Sequence, residues 1–127
     1  MNLLKTQLTK IISFDAAHSL PKYLGKCHRL HGHTYKVEIT VEGKVKDDPD
    51  KHSYGMVLDF AVLKDLMEQE INRRYDHKCL NDIMEYSTTE LLAKEIFKNL
   101  ESKLPVGVDL VGVRIWESDS SNVYYGR

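Results

Sequence analysis

His31-Gly32-His33 puts two imidazoles two residues apart within a stretch of alternating apolar and polar residues. Along a β-strand such residues point to one face, so both rings can reach a single ion. Gly32 between them lets a backbone or a ligand come close. His18 closes an earlier alternating stretch, on what is again the apolar face. Pairing of the two stretches brings three imidazoles together. A bare His-X-His is more often coincidence, and an inward histidine is more often a hydrogen-bonded core residue. Three histidines on inward faces beside a cysteine shift the balance to zinc. Three histidines with a fourth position open is a catalytic arrangement rather than a closed structural one.

Cys27 stands four residues before His31 and is open to two roles. It is either a fourth ligand that closes a structural site or an acid/base group whose thiolate is favoured beside a dication. Its place in a loop, with no second cysteine nearby, favours the acid/base role. Asp76-His77 offers a second device, since a carboxylate can fix a histidine's tautomer and raise its basicity for proton transfer. Neighbours in a strand do not meet side chain to side chain, so this pair requires a bend; on its own a polar turn is the commoner explanation. Glu117 continues the inward face of Val111, Val113 and Ile115. A carboxylate there must be paired or must bind something, and it matches a heterocycle with two adjacent N–H donors; equally, the strand could have reached solvent by that point. Glu90 is already explained by helix capping, and Cys79 is expected to serve packing. Lys22, Lys26, His28 and Arg29 form a basic cluster beside Cys27 that is suited either to a polyphosphate or simply to solvent.

The elements that must position these groups are legible as patterns. Leu4, Leu8, Ile12, Phe14, Ala16 and His18 share one parity and predict a half-buried strand. Residues 19–30 hold Pro21 and Gly25 and read as a loop. His33, Tyr35, Val37, Ile39 and Val41 predict a second strand, antiparallel to the first. After a turn region over 44–55 and the apolar run Met56-Val57-Leu58, Asp59 is the expected N-cap of a helix with Phe60, Leu63, Met67 and Ile71 on one stripe. Ser87-Thr88-Thr89-Glu90 has capping-box spacing, and Leu91, Leu92, Ile96 and Leu100 follow as a second apolar stripe that Pro105 and Gly107 end. A third strand over Val111–Glu117 and a fourth over Asn122–Tyr125 complete the order ββααββ. The expectation is an α+β domain, an antiparallel sheet with two helices on one face.

Composition sets the frame. A chain of 127 residues, 42% hydrophobic and 29% charged, suits one domain spanning 1–127. A formal net charge of -1 leaves no positive field for nucleic acid. No apolar run is long enough to span a membrane, the first residues lack the uninterrupted apolar block of a signal peptide, and two cysteines make no disulfide framework. A cytoplasmic setting is expected.

FDAAH with His18, CHRLHGH with Cys27, His31 and His33, YDH with Asp76 and His77, STTE with Thr88, Thr89 and Glu90, and WES with Glu117 stand in one order along the chain. Each is weak alone. Together they resemble the 6-pyruvoyl-tetrahydropterin synthase / 6-carboxytetrahydropterin synthase family, from about Leu8 to Glu117. The resemblance implies a tunnelling fold (T-fold) assembled as trimers or hexamers with active sites between subunits. It implies zinc on His18, His31 and His33, a catalytic Cys27, and an Asp76–His77 proton relay. It implies a pterin-anchoring Glu117, with Thr88, Thr89 and Glu90 lining the same pocket. The short Cys-x-x-x-His-Gly-His spacing resembles the bacterial 6-carboxytetrahydropterin synthases of queuosine precursor biosynthesis. These are zinc-dependent carbon–carbon lyases acting on 7,8-dihydroneopterin triphosphate. The alternatives are a pyruvoyl-forming synthase, a dihydroneopterin-cleaving paralogue of folate synthesis, or a zinc-stabilised binding module without catalysis. The ending ESDSSNVYYGR departs from the common Glu-Thr/Ser-Pro form.

Overall fold

β1 (Thr6–His18) and β2 (His31–Gly43) are the two alternating segments, paired antiparallel along their whole length from Thr6↔Gly43 to His18↔His31. A computed structural model describes residues 4–127 of the chain. Phe14, Ala16 and His18 of β1 and Tyr35, Val37, Ile39 and Val41 of β2 are buried on one face, whereas Asp15, Thr34 and Lys36 are exposed on the other. Leu4 precedes the strand and is exposed, so the apolar face of β1 does not reach as far back as the alternation predicts.

A two-residue β3 (Lys78–Cys79) lies parallel to Ala16–Ala17 on one side of β1. β4 (Val108–Ser118) pairs antiparallel with β2, and β5 (Ser121–Gly126) with β4. The order β3-β1-β2-β4-β5 makes the sheet mixed rather than purely antiparallel. A strand of two residues carries no alternation, which is why the sequence conceals it. β4 departs in a second way. Thr40 pairs with Gly112 but Val41 with Leu110, a bulge that leaves Val111 over and switches parity. Leu110 is buried before the bulge and Val113 and Ile115 after it, while Val111 is only half-buried. The inward face expected of Val111 therefore begins at Val113.

α1 (Phe60–Met67) continues through a π-helical turn (Glu68–Asn72) into α2 (Arg73–Tyr75). Asp59 caps α1 as expected, its Oδ1 accepting the Ala61 N–H at 2.8 Å. Leu63, Met67 and Ile71 are fully buried, but Phe60 in the first turn is exposed. α3 (Thr89–Glu101) is capped by Thr88, whose Oγ1 accepts the Leu91 N–H at 3.2 Å. The capping box read from Ser87 and Glu90 does not form, because Ser87 is fully buried and its hydroxyl donates to Ser19 O at 3.3 Å. Leu92, Ile96 and Leu100 are buried and Leu91 is exposed. α3 packs on β4 and β5, and α1 and α2 pack on β1, so both helical segments cover the face on which the strands bury their apolar residues. Among the described residues no helix is long and apolar enough to cross a membrane.

Ile39 is fully buried at the middle of β2. Ile39→Ala should lower stability by about 2–5 kcal/mol, and Asp59→Ala by about 1 kcal/mol through loss of the cap; urea unfolding measures both.

Candidate active site

The β1–β2 register seats His18 directly opposite His31, with His33 one step along the same face. Their rings meet edge to face, with centroids 4.6 Å apart for His18–His31, 5.1 Å for His18–His33 and 4.8 Å for His31–His33. One ligand nitrogen from each of the three lies within 4.8 Å of the others. Two of the rings are aimed by backbone carbonyls. His18 Nδ1 is 2.7 Å from Ser87 O, and His31 Nδ1 is 2.7 Å from Arg29 O.

A carbonyl oxygen only accepts, so each of these Nδ1 atoms carries the proton and each Nε2 presents a lone pair. The two Nε2 atoms are 3.0 Å apart. Lone pairs at that distance repel unless a cation or a proton lies between them. His33 Nε2 is buried and has no hydrogen-bond partner. Three converging imine nitrogens, two of them oriented from behind, are the donor set that zinc favours. Burial holds the His33 pKa below its ordinary 6.5; the Glu117 carboxylate pulls it upward, and His18 and His31 add to the lowering. The neutral ring that results at neutral pH is the form that binds metal. Cys27 is exposed and stands outside this cluster of ligand atoms, so the three histidines leave a fourth direction open.

Glu117 lies beyond the Lys36↔Trp116 pair of the β2–β4 ladder, which brings it alongside Tyr35. Its Oε1 accepts a short hydrogen bond from Thr89 Oγ1. Thr89, Glu90 and Glu117 line one small hollow together with Ser121, Asn122 and Val123. Thr88, expected beside them, is engaged as the cap of α3. Tyr35 connects the two halves of the site. Its ring stacks on Phe14 at 5.0 Å and meets His33 edge-on at 5.3 Å, and its buried hydroxyl has no partner. Burial, and then the Glu117 carboxylate, push its phenol above its ordinary value.

Asp76 and His77 do form a pair, with the bend that adjacent residues require. His77 has a φ of +57° and its Nε2 lies 3.6 Å from Asp76 Oδ2. They sit at the edge of β1 beside Asp15, grouped with that residue and not with the three histidines. Of the basic loop residues, His28 bonds Gly25 O through Nδ1 at 3.2 Å and Lys22 lies over the Tyr86 ring. Cys79 is half-buried beside Asn81, its Sγ 3.9 Å from Asn81 Oδ1.

Several positioning groups escape a reading of the sequence. Asn81 grips the end of β1, accepting the Ser19 N–H at 2.8 Å and donating to Ser19 O at 2.9 Å. The Ser87 and Arg29 carbonyls that orient His18 and His31 carry no side-chain signal at all. Tyr35 could have been found, since it shares the parity of His31 and His33.

Zinc should bind at about one ion per chain at neutral pH and be released on acidification, as protons compete for the imidazole nitrogens, followed with a chromophoric chelator. Retention at about pH 4 would contradict ligation by histidine. Loss of any one histidine should weaken zinc by more than the ~10–100-fold lost when an outer partner is removed. In metal-free protein, the depressed His33 favours folding fully above 6.5 and loses that contribution as the pH falls below it.

A family model described as 6-pyruvoyl tetrahydropterin synthase matches residues 7–127. Human 6-pyruvoyl tetrahydrobiopterin synthase is 40% identical over 138 aligned positions, covering 95% of this chain and 91% of the human one. The 6-carboxy-5,6,7,8-tetrahydropterin synthase of Synechocystis sp. is 39% identical over 106 positions, covering 82% of this chain and 81% of its own. Among solved structures, Caenorhabditis elegans 6-pyruvoyl tetrahydropterin synthase shares the whole architecture, with a TM-score of 0.82 at 28% identity over 100% of this chain and 99% of the nematode one. The α+β T-fold implied by the motifs is the fold observed. With both the sequence and the fold matched along nearly its full length, the chain belongs to the 6-pyruvoyl tetrahydropterin synthase family.

Proposed function

We propose that the protein is a zinc-dependent 6-carboxytetrahydropterin synthase. It would convert 7,8-dihydroneopterin triphosphate and water to 6-carboxy-5,6,7,8-tetrahydropterin, acetaldehyde and triphosphate, a step toward queuosine. The observation that carries the reading is the spacing of Cys27 and His31. Only three residues separate the thiol from a ligand at the mouth of β2, and the loop before the thiol is closed by the Leu20 N–H donating to Cys27 O at 3.1 Å. Chain length supports it. The human alignment runs over more positions than this chain has residues, so the human protein carries insertions that this one lacks. The Synechocystis alignment falls almost wholly on residues present here.

His18, His31 and His33 would hold the zinc, which when bound would supply Lewis acidity toward side-chain hydroxyls of the substrate. Cys27, as thiolate, removes a proton from the side-chain carbon on one side. His77, oriented by Asp76, exchanges a proton on the other. Glu117 accepts two N–H donors of the pterin ring and sets its distance from the histidines, with Thr89 and Glu90 at the rim of the same hollow. The separation of the Asp76–His77 pair from the histidine cluster supports an assembly of three or six copies in which one subunit's pair completes a neighbour's site.

Mass spectrometry of the products formed from 7,8-dihydroneopterin triphosphate tests the reading. Carboxytetrahydropterin with acetaldehyde is expected. A pyruvoyl product, or a pterin merely cleaved of its side chain, would move the protein to a sister activity, and no turnover with zinc bound would leave a binding module. Cys27→Ala should cut kcat by about 10²–10⁴-fold while sparing zinc. Glu117→Ala should raise KM by about 10–100-fold. Mixing Cys27→Ala with His77→Ala subunits should restore activity to about a quarter of the sites if each site is shared between copies; no recovery after exchange would place both residues in one chain's site.

A further inference from the structure

Asn81 lies in a short 3₁₀ turn (Leu80–Asp82) directly after β3, and the chemistry above gives it no part. Its side-chain amide takes both backbone groups of a single residue. Oδ1 accepts the Ser19 N–H at 2.8 Å, and Nδ2 donates to Ser19 O at 2.9 Å. That is the pair of bonds a residue of a neighbouring strand would offer, supplied here by one side chain. Ser19 is the joint between two functional parts. His18 precedes it, and the N–H of Leu20 after it donates to the carbonyl of Cys27 at 3.1 Å. Ser87, just before α3, closes the network. Its hydroxyl lies 3.3 Å from Ser19 O and 3.4 Å from Asn81 Oδ1, both acceptors, and shares its one proton between them. Its carbonyl accepts the His18 Nδ1–H at 2.7 Å.

His18 and Ser87 are buried, whereas Ser19 and Asn81 are only half-buried. Water would suffice to meet the backbone groups of Ser19, but water gives them no fixed direction. The amide does, and so fixes both the end of β1 and the point where the loop carrying Cys27 departs. The Ser87 hydroxyl rests on the same two oxygens, so the carbonyl behind His18 is held by the same grip. We propose that Asn81 is a positioning residue for the metal ligand and the thiol together: through Ser19 and Ser87 it aims the His18 ring and sets the reach of Cys27. The inference rests on the reading of His18 as a zinc ligand and of Cys27 as the proton-removing thiol. A misplacement of about 1 Å costs on the order of 10²-fold in rate, so a small movement of Ser19 is enough to be read.

The test compares zinc affinity, kcat, KM and Tm in Asn81→Ala and Asn81→Asp, with Ile39→Val as a variant weakened in mid-strand. A chromophoric chelator reads zinc affinity, and NMR of the imidazole nitrogens in metal-free protein reads which His18 nitrogen holds the proton. Asn81→Ala should weaken zinc by about 10–100-fold and lower kcat by about 10–100-fold with KM little changed. It should also leave His18 as a mixture of tautomers. Asn81→Asp keeps the bond to the Ser19 N–H and loses the one to Ser19 O, so it should fall between Asn81→Ala and wild type. Ile39→Val should lower Tm alone. Wild-type zinc affinity, kcat and tautomer in the Asn81 variants, with any loss confined to Tm, would overturn the proposal and leave Asn81 a structural residue. Should Asn81→Ala fail to fold, Asn81→Asp decides by the same readouts. No turnover in the wild type would instead remove the proposed reaction, while zinc affinity and the His18 tautomer would still report on Asn81.

Discussion

A slip of one residue between β1 and β2 would turn every side chain of one strand to the opposite face. The apolar alternation forbids it, because a slip that turned β2 would cost Tyr35, Val37, Ile39 and Val41 their burial. The same register places His18 across from His31 and Ala16 across from His33. Hydrophobic burial, acting along most of the two strands, thus sets the position of three polar rings at their end. Nothing at the histidines themselves needs to hold the strands together; the core does that, and the site inherits its geometry.

That arrangement leaves polar groups where the core stops. His33 Nε2 and the Tyr35 hydroxyl are buried without partners, and a buried donor or acceptor left unmet costs about 1–3 kcal/mol. Glu117 is brought to the same face by β4, whose bulge at Val111 restores the inward parity only from Val113 onward. Without that extra residue the carboxylate would point to solvent and the hollow shared with Thr89 would not exist. Stability given up at these positions is what one expects of a site built to meet a metal and a ligand.

The parts legible in the sequence are those with a period. Alternation located β1, β2 and the His18, His31 and His33 face, the 3.6-residue stripe located both helices, and Asp59 marked a cap. Val111 was misplaced because a bulge adds a residue without changing the residue types around it. Lys78–Cys79 was missed because two residues cannot show a pattern, yet this short strand follows directly from Asp76 and His77 and anchors them beside Asp15. The Ser87 cap was misassigned because Ser87 and Thr88 have the same capping chemistry; burial chose between them. The carbonyls behind His18 and His31, and the grip of Asn81 on Ser19, depend on tertiary approach and leave no trace in composition. Asp76 and His77 were legible as a motif but not as a place, since the structure groups them with Asp15 at the edge of β1 and apart from the three histidines.

The account turns on an open site of three imidazoles with Cys27 off the metal and available to carry protons. X-ray absorption at the zinc edge of the loaded protein tests this most directly. The structure predicts three imidazole nitrogens at about 2.0–2.1 Å with one further oxygen and no sulfur. A sulfur scatterer at about 2.3 Å would put Cys27 on the metal, close the site, and contradict the assignment of its thiolate to catalysis.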